Sequence, residues 1–386
     1  MEESAQAQIS NSALYLESKD DDNMKLLFTL RNIDVSMANA IRRTVLADIP
    51  TIAFKTFPHN DNLAIIHKNT SRLNNEILKQ RLSCIPIHIR DQTLPIDELE
   101  VEINVQNTQD VTIYVTTQDF KIKNTTSDTY LEENVLRKIF PPDPITGDFI
   151  IFTRLRPKIS NDVPGESISI SAKMSVHTAA EDGAYNVCST CSYAYTGDKL
   201  QQDTEWHKYF ATLPEEEKGA ENLIDLQKDW YNHQAKRFYK KDSFDFIIES
   251  IGVFSGSELM RLAIDIIVKK LTTIEQLAVQ NKLSISKSAT TMPHSFDLIL
   301  ENEGYTIGKV LECLLYKHYY TENKLLNYVG FRQNHPHDTD SVIRVAFYDA
   351  EEGGADDSWY INTLNNYIQH ICTMGKDIFQ SIHTEF

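Results

Sequence analysis

A chain of 386 residues with 41% hydrophobic and 24% charged side chains has the composition of a globular protein with two or three cores, not of a disordered or fibrous one. Its formal net charge of −17 gives it a field of the wrong sign for gripping phosphates, so unaided DNA binding is not expected, although acidity also serves solubility. No apolar run approaches the roughly 18 residues of a membrane span, the polar start Met1–Gln6 lacks the apolar core of a secretory signal, and an odd set of five scattered cysteines fits a reducing compartment.

The first predicted element is a strand over Met24–Leu30. Asn32–Asp34 supply turn and cap chemistry for a helix over Val35–Asp48, in which Met37, Ile41 and Val45 fall four apart on one face and Arg42 and Arg43 fall off it. Pro50 ends that helix. Residues 54–186 change character: a short helix over Asn74–Leu82 is followed by alternating runs at Leu99–Val105, Val111–Thr116 and Ile168–Met174, with prolines at 141, 142 and 144. This pattern predicts a mostly β unit. Val187–Tyr195 is a further strand. Residues 197–241 carry Glu215-Glu216-Glu217-Lys218 and read as a solvated excursion with some helix, better ordered over Asn222–Tyr239.

Phe244–Ile251 predicts a strand, and Ser255 with Glu258 forms a capping-box signature. The helix that follows runs to about Gln280, with Leu259, Leu262, Ile266, Leu271, Ile274 and Leu277 directed inward. Asn281–Pro293 is polar and reads as a linker. Beyond it, a strand over Phe296–Glu301 turns at Gly304-Tyr305-Thr306 into a helix with Ile307, Val310, Leu311, Leu314 and Leu315 on one stripe. Two strands, Tyr328–Gln333 and Val342–Tyr348, flank the turn Asn334–Asp338. A last helix from about Asp357 would bury Leu364, Ile368, Ile371, Ile378 and Ile382. Strand, tight turn, amphipathic helix and long closing helix therefore occur twice, once interrupted and once contiguous. The fold class is α+β.

Catalytic motifs are scarce. There is no Gly-rich phosphate loop, nucleophile elbow or His-Glu-x-x-His helix, nor the carboxylate cluster of a polymerase active centre. Cys188-Ser189-Thr190-Cys191 could serve a thiol-dependent redox or metal-binding enzyme. A structural zinc site needs a second pair, and strand alternation would turn these thiols to opposite faces, which favours packed cysteines. His335 and His337 flank Pro336 in a turn that accounts for them without metal.

The wording of several segments resembles the α-subunit family of cellular RNA polymerases. Leu30–Phe54, with Ala38-Asn39-Ala40-Ile41-Arg42-Arg43 and then Ile49-Pro50-Thr51, is similar to the family's first dimerisation helix. Asn69–Ile87, with Glu76, Arg81-Leu82 and Ile85-Pro86, resembles the opening of its insert domain, and Phe244–Leu277 resembles the closing strand and helix of the large α-like subunit. Glu303–Gly308 and Tyr328–Pro336 are similar to the turn and hairpin of the small α-like partner.

The resemblance implies two α-like dimerisation modules in one chain. The first would span 12–53 and 187–285, interrupted by an insert domain at 54–186, and the second 286–386. The implied role is a non-catalytic assembly platform that needs no cofactor. The two largest polymerase subunits would assemble on it with smaller subunits, and sequence-specific DNA contact and membranes play no part. Arg42 and Arg43 match family arginines facing a large subunit, where a planar guanidinium fork suits carboxylates. Met37, Ile41, Val45, Ile307, Val310, Leu311, Leu314 and Leu315 are the expected intramolecular dimer interface. Such fusions belong to large cytoplasmic DNA viruses, which implies work in host cytoplasm or virion, and otherwise the nucleus. Metal ligands that many relatives carry in the insert domain have no counterpart here.

Overall fold

The computed structural model describes residues 15–22, 24–91, 94–160, 163–214, 218, 220–289, 292–348 and 356–386. The readings of Met1–Gln6, of Glu215–Glu217 and of linker positions 290 and 291 lie outside the described residues. In chain order the elements are β1 (Leu16–Asp22), β2 (Lys25–Arg31), α1 (Val35–Ala47), β3 (Thr51–Ala53), β4 (Ala64–Asn69), α2 (Asn75–Ser83) and β5 (Leu99–Gln106). There follow β6 (Ile113–Thr116), β7 (Phe120–Asn124), β8 (Thr129–Tyr130), α3 (Glu133–Ile139), β9 (Ile151–Leu155), β10 (Ser167–Lys173), β11 (Ser175–His177) and β12 (Cys188–Gly197). The rest comprises α4 (Lys199–Thr212), α5 (Ala220–Asn232), β13 (Tyr239–Ser250), α6 (Gly256–Val279), β14 (Ser284–Lys287), β15 (Ser295–Leu300), α7 (Tyr305–Leu315), β16 (Leu326–Arg332), β17 (Ser341–Phe347) and α8 (Asp357–His383). A π-helical turn, Tyr316–Glu322, continues α7.

The described residues divide into two compact units. The smaller holds those within 45–189 and 250–255. Its five-stranded sheet has the order β4-β10-β5-β7-β8, and two short ladders, β11-β3 and β6-β9, accompany it. Phe120 anchors the core, with its ring edge-on to Phe140 and Phe152 at 5.4 and 5.8 Å. Helix α2 is fixed by Arg81, which donates from Nε to the Phe152 carbonyl at 2.7 Å and from Nη2 to that of Ile151 at 2.6 Å.

The larger unit holds the described residues within 1–44, 190–249 and 256–386, with sheets of order β1-β2-β13-β12 and β14-β15-β17-β16. Antiparallel register sets Phe28 of β2 opposite Phe246 of β13, and their rings stack at 4.9 Å. Strand β1 has no sequence signal because LESKDDD offers no apolar alternation. It is held by its backbone ladder with β2, with help from Ser18 donating to Thr29 at 3.2 Å.

Four expectations need correction. The excursion is more structured than its charge indicated: α4 and α5 form a hairpin on a small core of Trp206, Trp230 and Ala235. The linker contains β14, whose backbone pairs with β15 although its Ser-Ile-Ser-Lys sequence is mostly polar. The inward face of α6 is rotated: Met260, Ala263, Ile264 and Ile267 are buried beside Leu259, Leu271 and Ile274, whereas Leu262 and Ile266 are half-buried and Leu277 is exposed. This helix packs on both β2 and α8, so its apolar arc is wider than a single stripe. On α8, Gly375 and Phe379 are buried and Ile378 only half-buried.

Truncating Phe120 to Ala should destabilise the smaller unit by about 3–5 kcal/mol, because it removes a fully buried ring and leaves a cavity. Hydrogen exchange on the full chain should show protection lost across β5, β7 and β10 while α6 and α8 keep theirs. Equal loss in both units would contradict the division into separate cores.

Candidate assembly interface

Within the larger unit the most extensive helix pair is α6 against α8, of 24 and 27 residues. Gly375 of α8 makes this close approach possible. A Cβ there would stand 3.2 Å from Leu271 of α6 and 3.3 Å from Leu314 of α7. Next to it, Glu275 of α6 accepts from Thr373 at 2.7 Å and from Lys376 Nζ at 2.5 Å, both on α8. Burial alone would raise the Glu275 carboxyl, but the bonds from Lys376 and Thr373 outweigh it and hold the group below the usual carboxylate range.

The far end of α8 is fixed as well. Phe386 sits edge-on to Phe28 of β2 at 5.0 Å, with Lys19 over its ring and Arg261 of α6 donating to its carbonyl. His383 lies 3.5 Å from Asp265 of α6.

Residues of α1 meet the segment after Gly304 through polar contacts. Arg43 Nε donates to Thr306 Oγ1 at 2.9 Å, and Lys317 on the π-helical turn pairs with Asp34 at 2.9 Å. Asp34 also accepts from the Ser36 amide at 2.9 Å while its carbonyl accepts from Met37 and Ala38, so one residue caps α1 and carries the ion pair. Burial pushes its carboxyl up, yet the Ser36 amide and Lys317 together bring it down to about 2.

Met37, Ile41 and Val45 are buried, as are Ile307, Val310, Leu311, Leu314 and Leu315. The dominant apolar seam is nevertheless α6 on α8 rather than α7 on α1, since the two longest helices offer the most area. Arg42 is half-buried and bonds to Asn39 of its own helix at 3.0 Å, and Arg43 is exposed. Sequence reasoning placed Asp34 in the cap of α1 but missed its ion pair with Lys317, and it missed Glu275, Lys376 and Phe386. Only Gly375 carried a usable signal, as a glycine set four residues from both Ile371 and Phe379 in an apolar stripe.

The cysteine motif lies in packed surroundings and the histidines in a tight turn. Cys188 and Cys191 are both buried, against simple alternation, because Cys188 is the first residue of its strand. Burial pushes the Cys188 thiol up to about 11, far from a reactive thiolate, and its Sγ donates to the Val45 carbonyl at 3.8 Å. The His337 amide donates to His335 Nδ1 at 3.1 Å within the β16–β17 turn. Among the described residues, no group of three or more His, Cys, Asp or Glu side chains could hold a metal ion.

The family profile of the RNA polymerase Rpb3/Rpb11 dimerisation domain matches residues 27–271. The chain belongs to this family. Subunit 3B of DNA-directed RNA polymerases IV and V of Arabidopsis thaliana is 26% identical over 306 residues, covering 66% of this chain and 87% of its own length. Rpo3 of Methanosphaera stadtmanae is 25% identical over 282 residues, with coverages of 67% and 96%. The rpb3 subunit of RNA polymerase II of Dictyostelium discoideum is 24% identical over 306 residues, with coverages of 67% and 93%. The chain is thus homologous to third subunits of DNA-directed RNA polymerases. The profile ends at residue 271, inside α6.

The Asp34–Lys317 pair gives a pH test. A carboxyl lowered from 3.8 to about 2 contributes stability that is complete above the unfolded value and lost as pH falls through the folded one. Urea unfolding of Asp34→Asn against the parent should show a deficit at pH 7 that shrinks between about pH 4 and pH 2. A deficit independent of pH would contradict the pairing.

Proposed function

We propose that this chain is the non-catalytic subunit on which a DNA-directed RNA polymerase is assembled, with two α-like modules paired inside one polypeptide. The first module comprises 12–53 and 187–285, the second 286–386, and 54–186 is the insert domain. The observation that carries this reading is the α6–α8 seam. Its two helices come from opposite sides of the linker at 281–293, and Glu275 and Lys376 are matched across it. The linker keeps the modules at an effective concentration of roughly millimolar order, so they need not find each other by diffusion.

In this reading Arg42 and Arg43 present guanidinium groups to carboxylates of a large polymerase subunit, and the second large subunit and smaller subunits add to the same platform. The work is intracellular. A one-chain pair of modules fits the polymerase of a large cytoplasmic DNA virus, acting in host cytoplasm or virion. Family membership supports the polymerase assignment.

Two experiments test it. Replacing Arg42 and Arg43 together by Ala should leave circular dichroism unchanged and weaken recovery of the large subunits in co-expression pull-downs, by about 2–5 kcal/mol in affinity. Thr306→Ala removes the internal partner of Arg43 and serves as the control that keeps recovery intact. Unchanged recovery with the arginine variant would refute the platform role of these residues.

The second experiment addresses pairing. Glu275→Lys and Lys376→Glu should each lower the unfolding midpoint by on the order of 10 °C, since breaking a largely buried pair strands a charge. The reciprocal double exchange should regain most of that loss. Additive losses would mean that the two residues do not sense each other.

A further inference from the structure

The short stretch joining the α4–α5 hairpin to β13 has a character opposite to that of the chain as a whole. Ala235–Lys241 carries four cations, Lys236, Arg237, Lys240 and Lys241, and no carboxylate, in a molecule of net charge −17. All four are exposed. Lys240 lies 3.8 Å from Glu17, whereas Lys236, Arg237 and Lys241 form no ion pair among the described residues.

Aromatic side chains interleave with these cations. Tyr239 and Tyr195, each 44% exposed, stack at 4.3 Å. Phe238 stacks on Trp230 at 6.3 Å, and both line an open groove of about 270 Å³. Glu205, Lys208, Tyr209, Thr212, Gln234 and Arg237 complete its walls, with Lys208 neutralising Glu205 at 2.6 Å and Arg237 left as the unpaired cation among the described residues. The groove is smaller than the roughly 300–1,000 Å³ of small-molecule pockets, so it suits a protruding side chain better than a free ligand. Trp206 and Trp230, with rings 5.6 Å apart, form the small core beneath this surface together with Ala235.

We propose that the α4–α5 hairpin docks an acidic segment of another protein. Its carboxylates pair with Lys236, Arg237 and Lys241, and an apolar side chain enters the groove over Trp230 and Phe238. Charge complementarity favours a peptide over a nucleic acid. A phosphate backbone long enough to bind would run past Asp198, Asp203, Asp225 and Asp229 of the same hairpin and meet the field of the whole chain. A short acidic segment places its carboxylates at Lys236, Arg237 and Lys241 and only an apolar side chain in the groove, where Lys208 already neutralises Glu205, and charges beyond a Debye length of about 8 Å are screened.

The experiment is selection of a displayed random 12-residue peptide library on the immobilised full chain, followed by fluorescence anisotropy with the enriched peptides in synthetic form. Enrichment of acidic sequences containing an aromatic or aliphatic anchor is expected. The affinity should fall at least tenfold in the triple variant K236E/R237E/K241E and weaken as salt rises. The neutral variant K236Q/R237Q/K241Q should show an intermediate loss, and circular dichroism with thermal melting should show both variants folded. Enrichment of sequences without acidic residues, or equal affinity in the charge-reversed variant, would overturn the proposal. Binding of a labelled oligothymidine to the parent, abolished by the same triple change, would overturn it in favour of nucleic acid.

Discussion

Closing α6 onto α8 is the constraint on which the larger unit depends. Either helix alone leaves a long apolar face that water disfavours, and the contact removes both faces at once. Close approach requires a missing Cβ at Gly375, and that same geometry places Glu275 within reach of Lys376 and Thr373. The apolar area supplies the stabilisation, while the ion pair fixes register: its desolvation offsets much of its attraction, so its value lies in penalising mismatched partners. Phe386 on Phe28 and Asp34 with Lys317 anchor the same arrangement at further points.

This geometry bears directly on family membership. The relatives align over about two thirds of this chain, and the matched profile stops partway along α6. What lies beyond supplies α8, the helix that covers α6. Our proposal that a second α-like module has become part of the polypeptide accounts for this extra length and for the seam together. The polar segment around Ser284 has a physical role of its own, since β14 pairs with β15 rather than hanging free.

Much of the fold was legible because hydrophobic periodicity reports burial. The alternation of β10 and β17 follows from one face of each strand being buried, which a period of two describes well. Where an element has two neighbours the period fails, as in α6, whose buried arc spans two faces. Strand β1 was invisible for the opposite reason: it is held by backbone bonds that leave no trace in LESKDDD. The hairpin of α4 and α5 was masked by charge, although Trp206 and Trp230 were the signal of a local core. The polar partners of the candidate interface were not legible at all, because Asp34–Lys317 and Glu275–Lys376 are separated by hundreds or scores of residues and have no local pattern.

The central claim, a pair of α-like modules within one platform chain, is tested most directly by native mass spectrometry of the polymerase purified through this subunit. The account predicts one copy of this chain per assembly, bound to both large subunits, with no separate small α-like polypeptide. Two copies of the chain, or one copy accompanied by an independent small α-like subunit, would contradict it.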